Sequence, residues 1–369
     1  MKYKNIYIYI VIALLGFGAC KTNKFAPAIE DDIIGVRIDV ETLSADDMEG
    51  RETGTAGEKK AAKYLSKRMA EIGLSPSGNG DGYLQGFAKT IKANPHADEP
   101  SPDDEVVRGY NIVGLLHKGA PYTAVIGAHY DHLGYGDEGS LYVGERAIHN
   151  GADDNASGVA GMLRIAKKLV EDPDSTMNYL FIAFSGEEKG LWGSNYFTKH
   201  PSVPLDQVNY MINMDMIGRL NADRQLAIYG TGTSTSWSKA MMVGSQNTFK
   251  IKEEKSGVGP TDHTSFYLED LPVLQFFTGQ HEDYHRPSDD AHKINYQGII
   301  DITDYILDII EYVEPRGKLT FSKTKDEFIA NIKSLVDLHK DKKVLIAMHH
   351  PLFTNGSHGG YFPIQDHLF

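Results

Sequence analysis

The feature that most constrains this chain is a set of four short, continuously apolar segments with helix-like stretches between them. A strand that is apolar on both sides has to be covered on both sides, which is typical of parallel sheets. Alternation with helices supports the same arrangement. The pattern predicts an α/β domain with a mostly parallel, mixed central sheet and helices on both faces. The four segments are "YTAVIGAH" (122–129), "MNYLFIAFS" (177–185), "VNYMINM" (208–214) and "LPVLQFF" (271–277).

The intervening stretches carry apolar residues at helical spacing. In 57–74, Ala61, Leu65, Met69 and Ile72 fall on one face of a predicted helix. Segments 156–170 and 296–313 show the same periodicity, and a further helix is predicted at 190–199. Each predicted strand is therefore followed by an element that can cover the sheet.

Residues of metal-ligand type follow the strands or precede a helix. In an open α/β sheet, functional groups gather beyond the carboxyl ends of the strands. Each residue alone has an ordinary explanation, such as a helix cap or a surface histidine. A shared position at one sheet edge instead favours a site with mixed nitrogen and oxygen donors, which suits Zn²⁺, with Mn²⁺ or Co²⁺ as alternatives. The residues are His129, Asp131, Asp153, Asp154, Asn155, Glu187, Glu188, Asp215 and His285.

Charge and cysteine content exclude several classes of protein. The formal net charge is −13 and no basic stripe is present, which argues against a nucleic-acid partner. Cys20 is the only cysteine, so the chain has no internal disulfide and no thiolate metal cluster.

The first residues have the layout of a secretory signal. Lys2 and Lys4 precede an apolar run over 6–17, which is short for a membrane span, and small residues and Cys20 follow. This resembles a bacterial lipoprotein signal, in which Cys20 would carry the lipid; a plain cleaved signal is the alternative. We expect a signal peptide at 1–20, a linker at 21–39, and export to the cell envelope (periplasm or outer membrane), or secretion if Cys20 is not lipidated. The lipid anchor would be the only membrane contact.

Six motifs together resemble the co-catalytic zinc aminopeptidases of the M28 type, the group of aminopeptidase Y and leucyl aminopeptidase. They occur in the order "GRETGTAGEKKAAKYL", "GAHYDH", "GADDNASG", "FSGEEKGLWGS", "NMDMIG" and "DYHRPSDD". The resemblance implies a zinc-exopeptidase (phosphorylase/hydrolase-like) architecture over a domain at 40–315.

The resemblance also implies a role for each matching residue. Asp154 would bridge two Zn²⁺ ions, Glu187 would be the general base, and Tyr284 is a candidate donor to the oxyanion, although other family members use a tyrosine elsewhere. A cis peptide bond is implied at Asp154–Asn155. The remaining ligands would be His129 and Asp215 in the first site and Glu188 and His285 in the second; Asp131, Asp153 and Asn155 would support them; and Phe276, Phe277 and Thr278 would line the substrate pocket.

The function implied is hydrolysis of N-terminal residues from peptides, by a water activated between two metals with a glutamate base. Preference for aminopeptidase over other peptidases rests on the resemblance alone. One alternative is a glutaminyl cyclase-like aminoacyltransferase, a related group with one zinc and no first-site histidine. The other is a non-catalytic binding lipoprotein. The sequence does not determine the oligomeric state.

Residues 316–369 do not fit the peptidase. "VLIAMHHP" and "NGSHGG" resemble the interior of a calcineurin-like metallophosphoesterase, in which His349 would match a metal ligand. The chain lacks the other metal-binding segments of that family, and one strand with one helix cannot bury a core. We therefore expect an incomplete fragment without phosphatase activity.

Overall fold

The computed structural model describes residues 29–94, 99, 101–243 and 248–324. The predicted signal peptide, Cys20 and the phosphoesterase-like motifs around His349 lie outside the described residues. Among the helices described, none has the length and apolar character needed to cross a membrane.

The described residues contain seven α-helices and nine strands, together with short 3₁₀ segments and loops. The helices are α1 (Ile29–Leu43), α2 (Ala56–Ile72), α3 (Gly158–Glu171), α4 (Trp192–Lys199), α5 (Trp237–Ala240), α6 (His263–Tyr267) and α7 (Tyr296–Val313). The strands are β1 (Ser75–Pro76), β2 (Leu84–Ile91), β3 (Glu105–Leu116), β4 (Thr123–His129), β5 (Asn178–Phe184), β6 (Val208–Met214), β7 (Gln225–Tyr229), β8 (Lys250–Glu253) and β9 (Val273–Phe277).

All nine strands form one mixed sheet in the order β1-β3-β5-β4-β6-β9-β7-β8, with β2 paired to β3. The four strands predicted from their apolar runs are its centre: β4 pairs in parallel with β5 and β6, and β6 pairs in parallel with β9. Antiparallel pairs flank this centre on both sides. The predicted fold class is confirmed, and the carboxyl ends of the four central strands meet at one edge.

The two faces of the sheet are buried in different cores. Successive side chains of a strand point to opposite faces. In β5, Tyr179, Phe181 and Ala183 join the core that contains α1, α2, α3 and α7. Leu180, Ile182 and Phe184 join the core that contains α4 and α6. Burial on both sides explains why these strands are apolar throughout.

The predicted linker at 21–39 is wrong for its described part, because residues 29–43 form α1. Val36, Val40 and Leu43 are spaced by about one helical turn and are buried in the main core. Asp32, also buried, pairs with Arg164 of α3 at 3.0 Å and with Lys168 at 2.7 Å. One of the acidic side chains of α1, Asp32, thus anchors the helix to the domain.

The predicted boundary at 315 is also too early. Leu319 is 5% exposed and belongs to the main core. The Leu319 backbone N–H donates to Asn209 Oδ1 at 2.7 Å, and Asn209 Nδ2 donates to the Gly317 carbonyl at 2.9 Å. The Ser322 N–H donates to the Thr233 carbonyl at 2.8 Å. The packed domain therefore extends at least to residue 324.

This packing predicts a stability effect of Leu319→Ala. Removal of a buried leucine side chain should lower the free energy of unfolding by about 2–4 kcal/mol, measured by urea denaturation. Leu268→Ala is the matched control, because Leu268 is 39% exposed and should change stability by less than about 1 kcal/mol. Equal effects of the two substitutions would show that residues 317–324 are not part of the folded domain.

Candidate metal centre

The five ligands implied by the sequence come together at the carboxyl edge of the sheet. His129 ends β4, Asp215 directly follows β6, and Glu188 follows the end of β5. His285 lies in the loop after β9, and Asp154 lies in a tight turn, Ala152–Ser157, that leads into α3. The parallel centre of the sheet thus positions groups that are far apart in sequence.

Asp154 stands between two clusters of ligand atoms. The first metal group is His129, Asp154 and Asp215: His129 Nε2 lies 3.3 Å from Asp154 Oδ1 and 3.3 Å from Asp215 Oδ1. The second metal group is Asp154, Glu188 and His285: His285 Nε2 lies 3.3 Å from Asp154 Oδ2 and 3.3 Å from Glu188 Oε2. One oxygen of Asp154 therefore faces each group, which is the arrangement of a bridging carboxylate.

His132 also lies at this site, and the sequence reasoning overlooked it. Its Nδ1 is 2.8 Å from Glu188 Oε1, and one ligand atom each of His132, Asp154 and Glu188 lie within 4.8 Å of one another. The signal was present in "GAHYDH", where His132 directly follows Asp131.

The electrostatics of the site favour cations at the positions of the histidine nitrogens. Burial alone would lower the pKa of His285, yet the Glu188 and Asp154 carboxylates raise it to about 11. The pKa of His129 is shifted in the same direction. Burial lowers it, but the Asp215 and Glu187 carboxylates raise it well above the usual range. The carboxylates thus stabilise positive charge where a metal would displace the histidine protons. Nitrogen and oxygen donors in this arrangement fit Zn²⁺.

Glu187 belongs to neither metal group, although it is adjacent to Glu188. Burial raises the pKa of the Glu187 carboxyl well above its usual range; the His129 ring opposes this shift, and the Asp215 and Glu188 carboxylates add to it. Its backbone N–H donates to Asp131 Oδ1 at 3.2 Å. A carboxyl that holds a proton more tightly than an ordinary glutamate suits proton transfer.

Asp131 supports both sides of the site. The His129 Nδ1 atom lies 3.2 Å from the Asp131 backbone carbonyl and 3.7 Å from Asp131 Oδ1. The Asp131 carboxylate also accepts the backbone N–H groups of Glu187 and Glu188. Asp131 therefore orients the histidine mainly through its carbonyl, and its carboxylate holds the turn that carries both glutamates.

Asp153 and Asn155 fix the turn of Asp154 to the strand end that carries Asp215. Asp153 Oδ1 accepts the Gly218 N–H at 2.6 Å, and Asn155 Oδ1 accepts the Met216 N–H at 3.1 Å. Asn155 Nδ2 donates to the Met214 carbonyl at 3.0 Å. The Asp154–Asn155 peptide bond is cis, as the resemblance implies.

Two further residues that were not predicted hold the same turn. Asp289 Oδ2 accepts the backbone N–H groups of Asp153 and Asp154 at 2.9 and 3.0 Å. The Arg51 side chain is fully buried and donates to the carbonyls of Asn150 and Gly151 at 2.7 and 2.9 Å. Arg51 lies in the motif "GRETGTAGEKKAAKYL" and Asp289 in "DYHRPSDD". Both bind the backbone of a segment that is distant in sequence, and residue spacing does not predict such contacts.

The predicted substrate pocket needs one correction. Phe276 is fully buried, and its ring packs against Tyr305 of α7 at 6.3 Å between centroids, so it belongs to the core and cannot line an open pocket. Phe277 and Thr278 are partly exposed, although the Thr278 hydroxyl donates to the Met216 carbonyl at 2.7 Å. Tyr284 stacks on His285 with 3.9 Å between ring centroids, which places it beside the second metal group.

Asp289→Ala tests how the turn of Asp154 is held. The substitution leaves two buried backbone N–H groups without their acceptor, which should lower the free energy of unfolding by about 2–5 kcal/mol and reduce the bound zinc. Asp290→Ala is the control. The Asp290 carboxylate accepts a hydrogen bond from the Asn150 side chain at 3.2 Å, whereas the N–H groups of Asp153 and Asp154 donate to Asp289. Thermal unfolding and elemental analysis measure both effects. Equal stability of the two variants would contradict the role given to Asp289.

Comparison with known proteins agrees with this geometry. The model of the family described as "Peptidase family M28" matches residues 111–310. A curated relative, a probable leucine aminopeptidase of Arthroderma otae, is 28% identical over 44% of this chain; the chain spans 45% of that relative's length.

Solved structures with this fold include a zinc aminopeptidase and a glutaminyl cyclase. The zinc aminopeptidase BSAP of Bacillus subtilis superposes with a TM-score of 0.58 at 18% identity, over 78% of this chain and 95% of that one. The glutaminyl cyclase of Bacteroides thetaiotaomicron superposes with a TM-score of 0.60 at 17% identity, over 75% and 97%. The fold is thus shared by hydrolases and cyclases. The family match covers more than half of the sequence, and the chain belongs to peptidase family M28, whose chemistry is that of a peptide hydrolase.

Proposed function

We propose that this protein is a two-zinc aminopeptidase that removes N-terminal residues from peptides. The observation that carries the proposal is the position of Asp154, whose two oxygens each lie 3.3 Å from a histidine of a different metal group. A carboxylate placed in this way is suited to bridge two cations. His129 and Asp215 would complete the first zinc site, and Glu188 and His285 would complete the second.

Each protein residue then has a distinct task. A pair of zinc ions held by these residues would supply Lewis acidity and a water of lowered pKa. The Glu187 carboxylate would take a proton from the attacking water and pass it to the amine of the leaving group. Glu187 lies outside both metal groups, which leaves its carboxylate available for this transfer, and burial holds its pKa above the range of an ordinary glutamate.

Tyr284 is proposed as the donor to the oxyanion. Burial, together with the carboxylates of Asp154 and Glu188, raises the pKa of the Tyr284 phenol above its usual range. The phenol therefore stays protonated at neutral pH and can donate a hydrogen bond to developing negative charge. Its stacking on His285 keeps the ring next to the second metal group.

The preference for a substrate with a free N-terminus rests on the resemblance and on relatives named leucine aminopeptidase. Four carboxylates, those of Asp154, Glu187, Glu188 and Asp215, stand together at the carboxyl edge of the sheet. Two Zn²⁺ ions would balance their charge, so the aminopeptidase assignment is taken from the relatives.

A cyclase reaction on the same fold receives less support. The resemblance associates glutaminyl cyclases with one zinc and no histidine in the first site. Here His129 lies 3.3 Å from both Asp154 and Asp215, so the donors of a first site are complete.

Export through the signal at 1–20 remains part of the proposal and rests on the sequence.

The paired variants Glu187→Gln and Glu188→Gln test the division of roles. Glu187→Gln should retain about two zinc ions per chain and lose activity by about 10²–10⁴-fold, because only proton transfer is removed. Glu188→Gln should bind the second zinc more weakly. Zinc is measured by elemental analysis, and turnover is measured on a panel of aminoacyl-p-nitroanilides.

Three results would count against the proposal. Near-wild-type turnover of Glu187→Gln would remove it as the general base. Equal hydrolysis of an N-acetylated substrate would contradict recognition of the ammonium group. A single zinc in the wild type, with cyclisation of glutaminyl peptides in place of hydrolysis, would support the cyclase.

Tyr284→Phe tests the oxyanion donor. The ring and its stacking on His285 are kept, and only the hydroxyl is lost. We expect unchanged zinc content and KM but a fall in kcat of about 10²–10³-fold, since one donor to the oxyanion is removed. A kcat close to that of the wild type would assign the donor to another residue.

A further inference from the structure

His132 is a buried residue at the metal centre for which the proposed mechanism has no use. It lies in the segment that follows β4, and its side chain is 0% exposed. The ring is seated against Gly151: a Cβ at position 151 would lie 2.6 Å from ring atoms Cγ and Cδ2 of His132. The glycine of "GADD" thus provides the space in which this imidazole packs.

The ring makes one close polar contact, with Glu188. His132 Nδ1 lies 2.8 Å from Glu188 Oε1. An ionised carboxylate can only accept, so Nδ1 carries the proton and donates it. The Nε2 atom is buried without a hydrogen-bond partner in the part of the chain that the structure describes. Within that part, the polar contact of His132 is therefore directed at Glu188.

The two oxygens of Glu188 consequently face different partners. Oε1 accepts from His132, whereas Oε2 lies 3.3 Å from His285 Nε2 in the second metal group. The terminal torsion of a glutamate is broad and roughly two-fold, so the carboxylate has no strong orientation of its own. The nearby Asp154 carboxylate also repels it. A fixed donor on one oxygen would set the direction of the other.

We propose that His132 is a positioning residue that holds the Glu188 carboxylate with Oε2 facing the second zinc, without binding zinc itself. The inference rests on the proposed two-zinc centre. Groups that orient ligating carboxylates commonly contribute 10–100-fold to metal affinity. The role also explains why an imidazole is buried beside two histidines that already serve as ligand candidates.

The substitutions His132→Ala, His132→Asn and His132→Gln separate positioning from ligation. The side-chain amide nitrogen of asparagine occupies nearly the place of Nδ1 and can donate to Glu188, but an amide is a poor zinc ligand. His132→Ala and His132→Gln should weaken the second zinc by about 10–100-fold, and His132→Asn should restore it to within about threefold of the wild type. The affinity of the first zinc should not change.

Zinc affinities are measured on the full chain by competition with a chromogenic chelator, independently of turnover. His200→Asn is the matched control, because His200 is exposed at the end of α4 and bonds the Tyr196 carbonyl. Thermal unfolding of the metal-free proteins identifies any variant that is merely unfolded, and His132→Asn then carries the test.

Two outcomes would overturn the inference. If His132→Asn loses the second zinc as His132→Ala does, His132 binds the metal directly. If neither variant loses it, Glu188 needs no positioning. A wild type that binds fewer than two zinc ions would instead defeat the proposed function, before any variant is compared.

Discussion

The structure depends on one electrostatic requirement: negative charge is concentrated in a buried place and has to be balanced there. Asp154 faces a histidine with each of its oxygens, while Asp215 and Glu188 approach the same two rings. Burial raises the pKa of Asp215 and Glu187, whereas the histidines lower that of Asp154. Such a cluster is stable only with compensating positive charge, which metal ions supply more effectively than imidazolium.

Most of the polar groups around this cluster hold the loops that carry the candidate ligands. Asp289 and Arg51 hold the backbone of the Asp154 turn from opposite ends of the chain, and Asn155 ties the turn to the strand end before Asp215. Asp131 does the same for the two glutamates. These contacts are directed at backbone groups, so each fixes the position of a loop and leaves the ligating atoms free. Accurate placement of the candidate ligands by rigid supports is what the proposed two-zinc reaction would require.

The fold class and the central strands were predicted from local patterns. The roles of the five candidate ligands came from the resemblance, and the structure brings these residues together at one edge of the sheet. An apolar run indicates a doubly covered strand, and a polar residue at its end indicates the functional edge. Helix α7 was predicted with its observed bounds. Contacts between distant segments could not be predicted in this way. The ring of Phe276 points to the core because side chains alternate between the two faces of β9. Helix α1 is held by the buried ion pair of Asp32 with Arg164. His132 is recognised as part of the site only through its contact with Glu188, which is distant in sequence.

The placement of the ligands has a consequence for how the protein matures. His129 and His285 are more than 150 residues apart in sequence. Asp154, Glu188 and Asp215 lie on separate segments between them. No single strand–helix unit contains a complete set of donors. During synthesis the donors of the first site would be complete once β6 and Asp215 have joined the sheet, whereas the second site would also need His285 in the loop after β9. Binding of the second zinc would then require that the last parallel strand and this loop have folded, and the two-zinc centre would form only in the completed domain.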